Sequence, residues 1–302
     1  MSASVLFDSP GPKGRRTILL VNVVGVAVIA LLLYLVISGL AAKGQMSPQK
    51  WASLFTSNAW LNFFLPGLAS TLQAAAVSIV LSIAFGLVFG LGRLSEHKAW
   101  NWIAAVVVEF FRAVPVLLMM VFFNIFFARS GIVPGSESPF WAVVVALTLY
   151  NGSVVAELVR AGVHNLPKGQ REAGIAIGLT RGQSLRLIEV PQALVAMLPA
   201  LIGQFVVILK DSALGYIIGY TELLFYSRTF GAANANTLQA LLLAAAIFIT
   251  INYTLTKVAE WVARRLGSRG PRRSKPGEPA VVGLPAGLPG LPDTDADAGQ
   301  RR

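Results

Sequence analysis

The chain has 302 residues, of which 55% are hydrophobic and only 13% charged, with a mean hydropathy of +0.66. Soluble domains carry about 25% charged residues, so the composition excludes an ordinary soluble fold and points to one membrane domain. Lys and Arg outnumber Asp and Glu by 25 to 14, but the basic residues lie between long apolar runs, which argues against a nucleic-acid-binding patch. There is no cysteine, and the two histidines are His97 and His164. Neither has a carboxylate at motif spacing, so the sequence offers no metal set, no cofactor site and no catalytic triad.

A helix crossing a bilayer needs about 20 mostly apolar residues, and the pattern predicts an all-α polytopic membrane protein with about six such helices. A basic segment over 1–16 precedes the first, over 17–40. Its apolar run exceeds the roughly 7–15 residues of a signal-peptide core, so it is expected to stay uncleaved. From Lys43 to Leu65 the chain is mixed and aromatic (Trp51, Phe55, Trp60, Phe63, Phe64), which predicts an amphipathic piece lying on the outer membrane surface. A second span is expected over Pro66 to Leu91. Its small residues Ser70, Ala74, Ser78, Ser82, Gly86 and Gly90 recur every fourth position, a stripe that lets helices approach closely where lipid supplies no hydrophobic drive.

The third predicted span covers Trp100 to Phe127, with Pro115 able to bend it, and the fourth covers Phe140 to Val159. A polar, basic stretch follows. The fifth span is expected from Ile188 to Leu209, continuing less clearly toward Ile218. A polar loop over Tyr220 to Asn236 leads to the sixth span, Thr237 to Val258. Residues 266–302 are rich in Gly, Pro, Ser and Asp and poor in large apolar side chains, a composition expected to be disordered. Cytoplasmic segments collect the basic residues. With the N-terminus inside, they hold Lys13, Arg15, Arg16, Arg93, Lys98, Lys168, Arg171, Arg181, Arg186, Arg264 and Arg265, against Lys43, Lys50, Arg129 and Arg228 outside. Both termini are therefore expected in the cytoplasm.

The basic stretch after the fourth span reads LPKGQREAGIAIGLTRGQSLRLIEVPQAL, from Leu166 to Leu194. Pro167 suits a first helical turn, Gly178 a left-handed cap, and Thr180 with Gln183 a capping box that starts a second helix. Pro191 falls in the first turns of the fifth span, where proline is tolerated. These signals predict a helix–Gly–helix elbow fixed between two spans.

The spacing of Glu172, Ala173, Gly174, Gly178, Ile188 and Pro191 resembles the EAA loop of ABC-importer permeases. GLASTLQ (Gly67 to Gln73), FFRAVPVLL (Phe110 to Leu118), VAELVRAGV (Val155 to Val163), PKGQREAG, PQAL and LKDSAL (Leu209 to Leu214) are similar, in the same order, to the polar amino acid branch, and VEFFRAVPVLLM to its glutamate-type members. The resemblance implies a type I importer transmembrane domain over 66–262, with one extra helix in front and a coupling loop over 166–191 that docks on a cytoplasmic ATPase. It also implies an external amino acid-binding protein, a second permease, identical or related, an amino acid substrate and a bacterial plasma membrane. Gly174 departs from the family pattern, which has a second Ala there; the expectation is weaker helicity with unchanged placement.

Ionisable residues inside spans default to functional candidates. They are Glu109 with Arg112, read as a deep pair in the third span, Glu157 with Arg160 at the cytoplasmic end of the fourth, and Lys210 with Asp211 near the outer end of the fifth. All are expectations for a substrate path, with ion pairing and interfacial anchoring as the bland alternatives. A gradient-driven secondary transporter is the rival function, but no repeated halves are visible. An intramembrane enzyme lacks its chemistry: there is no G-x-S-x-G elbow, and no G-x-x-x-x-G-K-[ST] loop for ATP.

Overall fold

The structure, a computed structural model, describes residues 11–267. The described residues are helical throughout their ordered elements and contain five helices long and apolar enough to cross a membrane, or six spans if one bent pair counts as a span. Helix α1 (Pro12–Ala42) begins on Pro12, within the segment expected to precede it. Its most apolar window is 0% buried, so it stands away from the bundle. The tail over 266–302 lies outside the described residues, apart from its first two, which continue the last helix.

The aromatic stretch after α1 differs from the expectation. Short helices α2 (Pro48–Ala52) and α3 (Ser57–Ala59) lead through a π-helical turn at Trp60–Phe64 into α4 (Leu65–Gly92). Leu54, Ala59 and Phe64 are buried in a cluster with Leu223 and Phe230. The segment is thus partly core and not simply a surface-lying piece. Burying a ring such as Phe64 removes far more apolar area than resting at an interface would.

The third span is two helices, α5 (Lys98–Ala113) and α6 (Val116–Ser130), bent by 99°. Proline disfavours helical geometry at the residue before it. Accordingly Val114 is extended (φ −82°, ψ 128°) and Pro115 (φ −57°, ψ 130°) opens α6. The bend foreseen at Pro115 is therefore a complete break. Gly131, at φ 68°, ends α6 in a left-handed cap.

Helix α7 (Ser138–His164) is the central post. Its inner face (Val143, Val144, Leu147, Val155, Val159) is fully shielded, and 61% of its apolar window is buried. It runs parallel to α4 along the small-residue stripe. Ser82 donates to the Leu147 carbonyl at 3.4 Å, Gly86 faces Gly152 and Val155, and Gly90 faces Ala156 and Val159. At the other end the stripe passes to a different neighbour: Thr71 replaces Ser70 in the buried row and accepts the Leu223 N–H at 3.0 Å.

After α7 come α8 (Lys168–Ala176) and α9 (Arg181–Ser184), a π-helical turn at Leu185–Glu189, and α10 (Val190–Asp211), extended in 3-10 form to Ile218. The segment read as a polar loop over Tyr220 to Asn236 contains a further helix, α11 (Leu223–Ala233). Helix α12 (Thr237–Gly267) closes the bundle. Below, the elbow end is the end of the bundle carrying α8 and α9, and the far end carries α11.

Candidate functional site

The elbow is built by local chemistry. Pro167 caps α8 in an extended conformation (φ −56°, ψ 132°). At the other end Gly178 sits at φ +85°. Its N–H donates to Ile175 O at 3.0 Å, and the Leu179 N–H donates to Gly174 O at 3.1 Å. This pair of bonds is a Schellman cap. Thr180 Oγ1 then accepts the Gln183 N–H at 3.3 Å, while Gln183 Oε1 accepts the Thr180 N–H at 2.8 Å. Both helix ends of the turn are thereby satisfied, which makes the elbow a stiff unit.

Of the residues expected to dock a partner, Glu172, Ala173, Gly178 and Pro191 are exposed, Ile188 is half-buried and Gly174 is buried. A Cβ on Gly174 would lie 2.7 Å from Ser184 Oγ and 3.1 Å from Ile188 Cδ1. Gly174 therefore decides how closely α8 seats on the second arm, a role beyond the helicity effect expected from the sequence. Ser184, fully buried, donates to Glu189 Oε1 at 3.1 Å behind it. Ile175 (53% exposed) and Ile177 (75% exposed) stand out from α8 beside Glu172. Sequence reasoning passed over them, although two isoleucines in a basic loop were a visible sign of an exposed apolar surface. A cavity of about 260 Å³ lies behind the elbow, lined by His164, Glu172, Arg181 and Glu189 among others.

The two charged pairs read as separate sites form one network. Arg93, which follows the last residue of α4, places Nη1 3.1 Å from Glu109 Oε1 and 2.6 Å from Glu157 Oε2. Arg160 Nη2 meets Glu157 Oε1 at 2.5 Å, and Arg112 Nη1 meets Glu109 Oε2 at 3.4 Å. Glu109 and Arg112, read as a deep pair in the third span, are thus tied through Arg93 to the end of α4, on a helix that breaks at Pro115 with a bend of 99°.

Lys210 and Asp211 end α10 on the opposite side of the bundle, Lys210 exposed and Asp211 half-buried. Among the described residues no ion pair links them to the network. Between the two levels lies a polar contact that the sequence reading missed. Gln204 donates its amide to Asn151 Oδ1, and the wholly buried Asn151 donates to Leu147 O at 2.9 Å. The signal was an asparagine within an apolar run, where uncharged polar groups also need partners. Among the described residues no group of His, Cys, Asp and Glu could hold a metal ion.

At the far end, Tyr220 donates to Ser70 O at 2.7 Å and lines a cavity of about 470 Å³ with Gln73, Glu137, Phe140 and Trp141. Burial and the nearby Glu222 push the Tyr220 hydroxyl up to about 12, so it remains a donor. Glu222, outside the apolar spans and fully buried, accepts the N–H groups of Leu224 and Phe225, each at 2.8 Å. Burial raises its pKa from 4.5 to about 7, against the opposing pull of those two N–H groups. The folded chain then holds this proton more tightly than the unfolded chain does. Its stabilising contribution is complete below pH 4.5 and is lost as pH rises to about 7. Melting temperature should therefore fall across that window in the native chain and fall less in Glu222→Gln; parallel profiles would show that the group does not titrate there.

The fold is thus a bundle of membrane spans with a stiff, capped elbow at one end whose outer edge is exposed. Residues 82–268 match the binding-protein-dependent transport system inner membrane component family, and the chain belongs to that family. It is 47% identical over 227 residues to the glutamate transport system permease protein GluD of Corynebacterium glutamicum, covering 75% of this chain and 83% of that protein. It is 32% identical over 206 residues to the arginine transport system permease protein ArtQ of Bacillus subtilis, covering 68% and 93%. Among solved structures, an amino acid ABC transporter crystallised with histidines aligns with a TM-score of 0.62 and 28% identity, over 68% of this chain and 95% of that one. An inward-facing MetNI methionine transporter, at 21% identity and a TM-score of 0.59 over 70% and 99%, shares the fold.

Proposed function

We propose that this chain is the permease subunit of an ATP-driven importer for a polar amino acid, with glutamate as the best substrate. The observation that carries the proposal is the elbow, a capped helix that exposes Glu172, Ala173, Ile175 and Ile177 on a rigid turn. Such a surface suits a cytoplasmic ATPase that pushes on it. The similarity to a glutamate transport permease supports the substrate class. Hydrolysis belongs to that partner, since this sequence has no phosphate-binding glycine loop. An extracytoplasmic binding protein delivers the amino acid at the far end, and a second permease, identical or related, completes the path. The elbow faces the cytoplasm with both termini, in a bacterial plasma membrane, as the distribution of Lys and Arg favours. Lys210 and Asp211 keep their place as path candidates at the far end. Glu109, Arg112, Glu157 and Arg160 belong instead to the frame that holds the helices.

The test is uptake of labelled glutamate by proteoliposomes containing the chain with its ATPase and binding protein. Uptake should need both ATP and the binding protein. Uptake driven by an ion gradient without ATP would replace this reading with a secondary carrier.

A further inference from the structure

We propose that Arg93 is the positioning residue that passes movement of the coupling elbow to the broken α5–α6 span; the inference rests on the importer reading above. Arg93 sits where three elements meet. It closes α4, and its side chain, 14% exposed, reaches Glu109 on α5 at 3.1 Å and Glu157 on α7 at 2.6 Å through the same Nη1 atom. Its backbone carbonyl accepts from Asn101 Nδ2 of α5 at 2.7 Å. Gly92, the residue before it, has no room for a Cβ, since Trp100 Nε1 and Ala104 Cβ would lie 2.8 and 3.0 Å away. The start of α5 is therefore fastened to the end of α4.

On one side of Arg93 the chain leads to the elbow. Glu157 and Arg160 lie in the last turns of α7, which is separated from α8 only by Asn165, Leu166 and Pro167. His164 Nδ1 lies 2.8 Å from Arg160 O, tying the final turn to the network. On the other side it leads to the break. Glu109 and Arg112 immediately precede Val114 and Pro115, where the span turns by 99° into α6. A pull on α8 thus reaches the break through charged contacts and helix ends, without passing through the packed centre of α7.

The wiring separates this role from one of simple stability. Glu157 keeps Arg160 and Glu109 keeps Arg112 as partners within their own helices. Loss of the Arg93 charge leaves neither carboxylate isolated, so α5 and α7 keep their internal pairs. What disappears is the charged bridge between the helices. Because one nitrogen serves both carboxylates, a lysine ammonium can take its place as a point charge.

The experiment measures ATP hydrolysed per amino acid imported, in proteoliposomes of the complete complex with wild-type chain, Arg93→Gln and Arg93→Lys. Arg93→Gln should assemble and hydrolyse ATP but consume about tenfold more per molecule imported, a change on the scale of mutations along coupling networks. Arg93→Lys should restore the wild-type ratio. An unchanged ratio in Arg93→Gln overturns the proposal. So does a lysine variant as wasteful as the glutamine one, or failure of both to assemble, which would make Arg93 purely structural. If wild-type uptake itself does not depend on ATP, the importer reading fails first, a result distinct from any difference among the variants.

Discussion

Replacing Gly178 by valine should leave every span inserted and reduce ATP-dependent uptake close to background. Gly178 holds φ +85°, and no atom outside its chain neighbours lies within 4 Å of the position its Cβ would take. A side chain there meets no steric wall. The cost arises in the backbone, about 1 kcal/mol or more for a β-branched residue forced left-handed. The capping bonds from Gly178 and Leu179 to Ile175 and Gly174 then give way, and α8 loses its fixed angle to α9. Asparagine tolerates the left-handed region, so Gly178→Asn should retain more transport than Gly178→Ala, and valine should retain least. Membrane abundance, ATPase retention on purification and uptake would be measured for all three. Normal uptake with the ATPase fully bound in the valine variant would remove the elbow from the coupling mechanism. Glu172→Lys tests the same surface by charge alone, because Glu172 is exposed and its reversal leaves the cap intact.

The second large effect is expected in the small-residue stripe. A Cβ on Gly86 would lie 2.3 Å from Val155 Cγ1 and 3.1 Å from Gly152 O. Val155 is buried in the centre of α7 and cannot swing aside. Gly86→Leu must therefore separate α4 from α7, and overpacking of this kind costs about 1–3 kcal/mol or more. The variant should accumulate in the membrane at a small fraction of the wild-type level. Val80, 65% exposed on the same helix, should accept leucine without loss. Gly86→Ala alone should be impaired, and adding Val155→Ala should recover it by opening the space opposite. Equal abundance of Gly86→Leu and Val80→Leu would mean that this helix contact does not hold the bundle.

Most expectations that the fold reproduced rested on neighbours in sequence, although the third span is broken at Pro115 and the stretch over Tyr220 to Asn236 holds α11. The spans follow from runs of apolar residues long enough to cross a bilayer. The elbow follows from Gly178 and from Thr180 with Gln183, whose capping bonds reach only a few residues along the chain. The stripe on α4 was legible because a helix repeats its face at a known interval, although its end at Ser70 was not: there α11 replaces α7 as the neighbour and Thr71 takes over.

What the sequence by itself determined is therefore membrane residence, the run of spans, the capped elbow and the resemblance that led to the family. Tertiary structure alone decided which charges belong together. Glu109–Arg112 and Glu157–Arg160 read as two local pairs because i, i+3 spacing is visible in one dimension. Arg93 meets Glu157 only after α4 and α7 have packed, and it meets Glu109 only once α5 has come to rest against the end of α4. Phe64 likewise became core only through Phe230, and Asn151 found Gln204 across two spans. Local hydrogen bonding and apolar periodicity are encoded within one turn or one span. Contacts between distant segments depend on where whole helices come to rest.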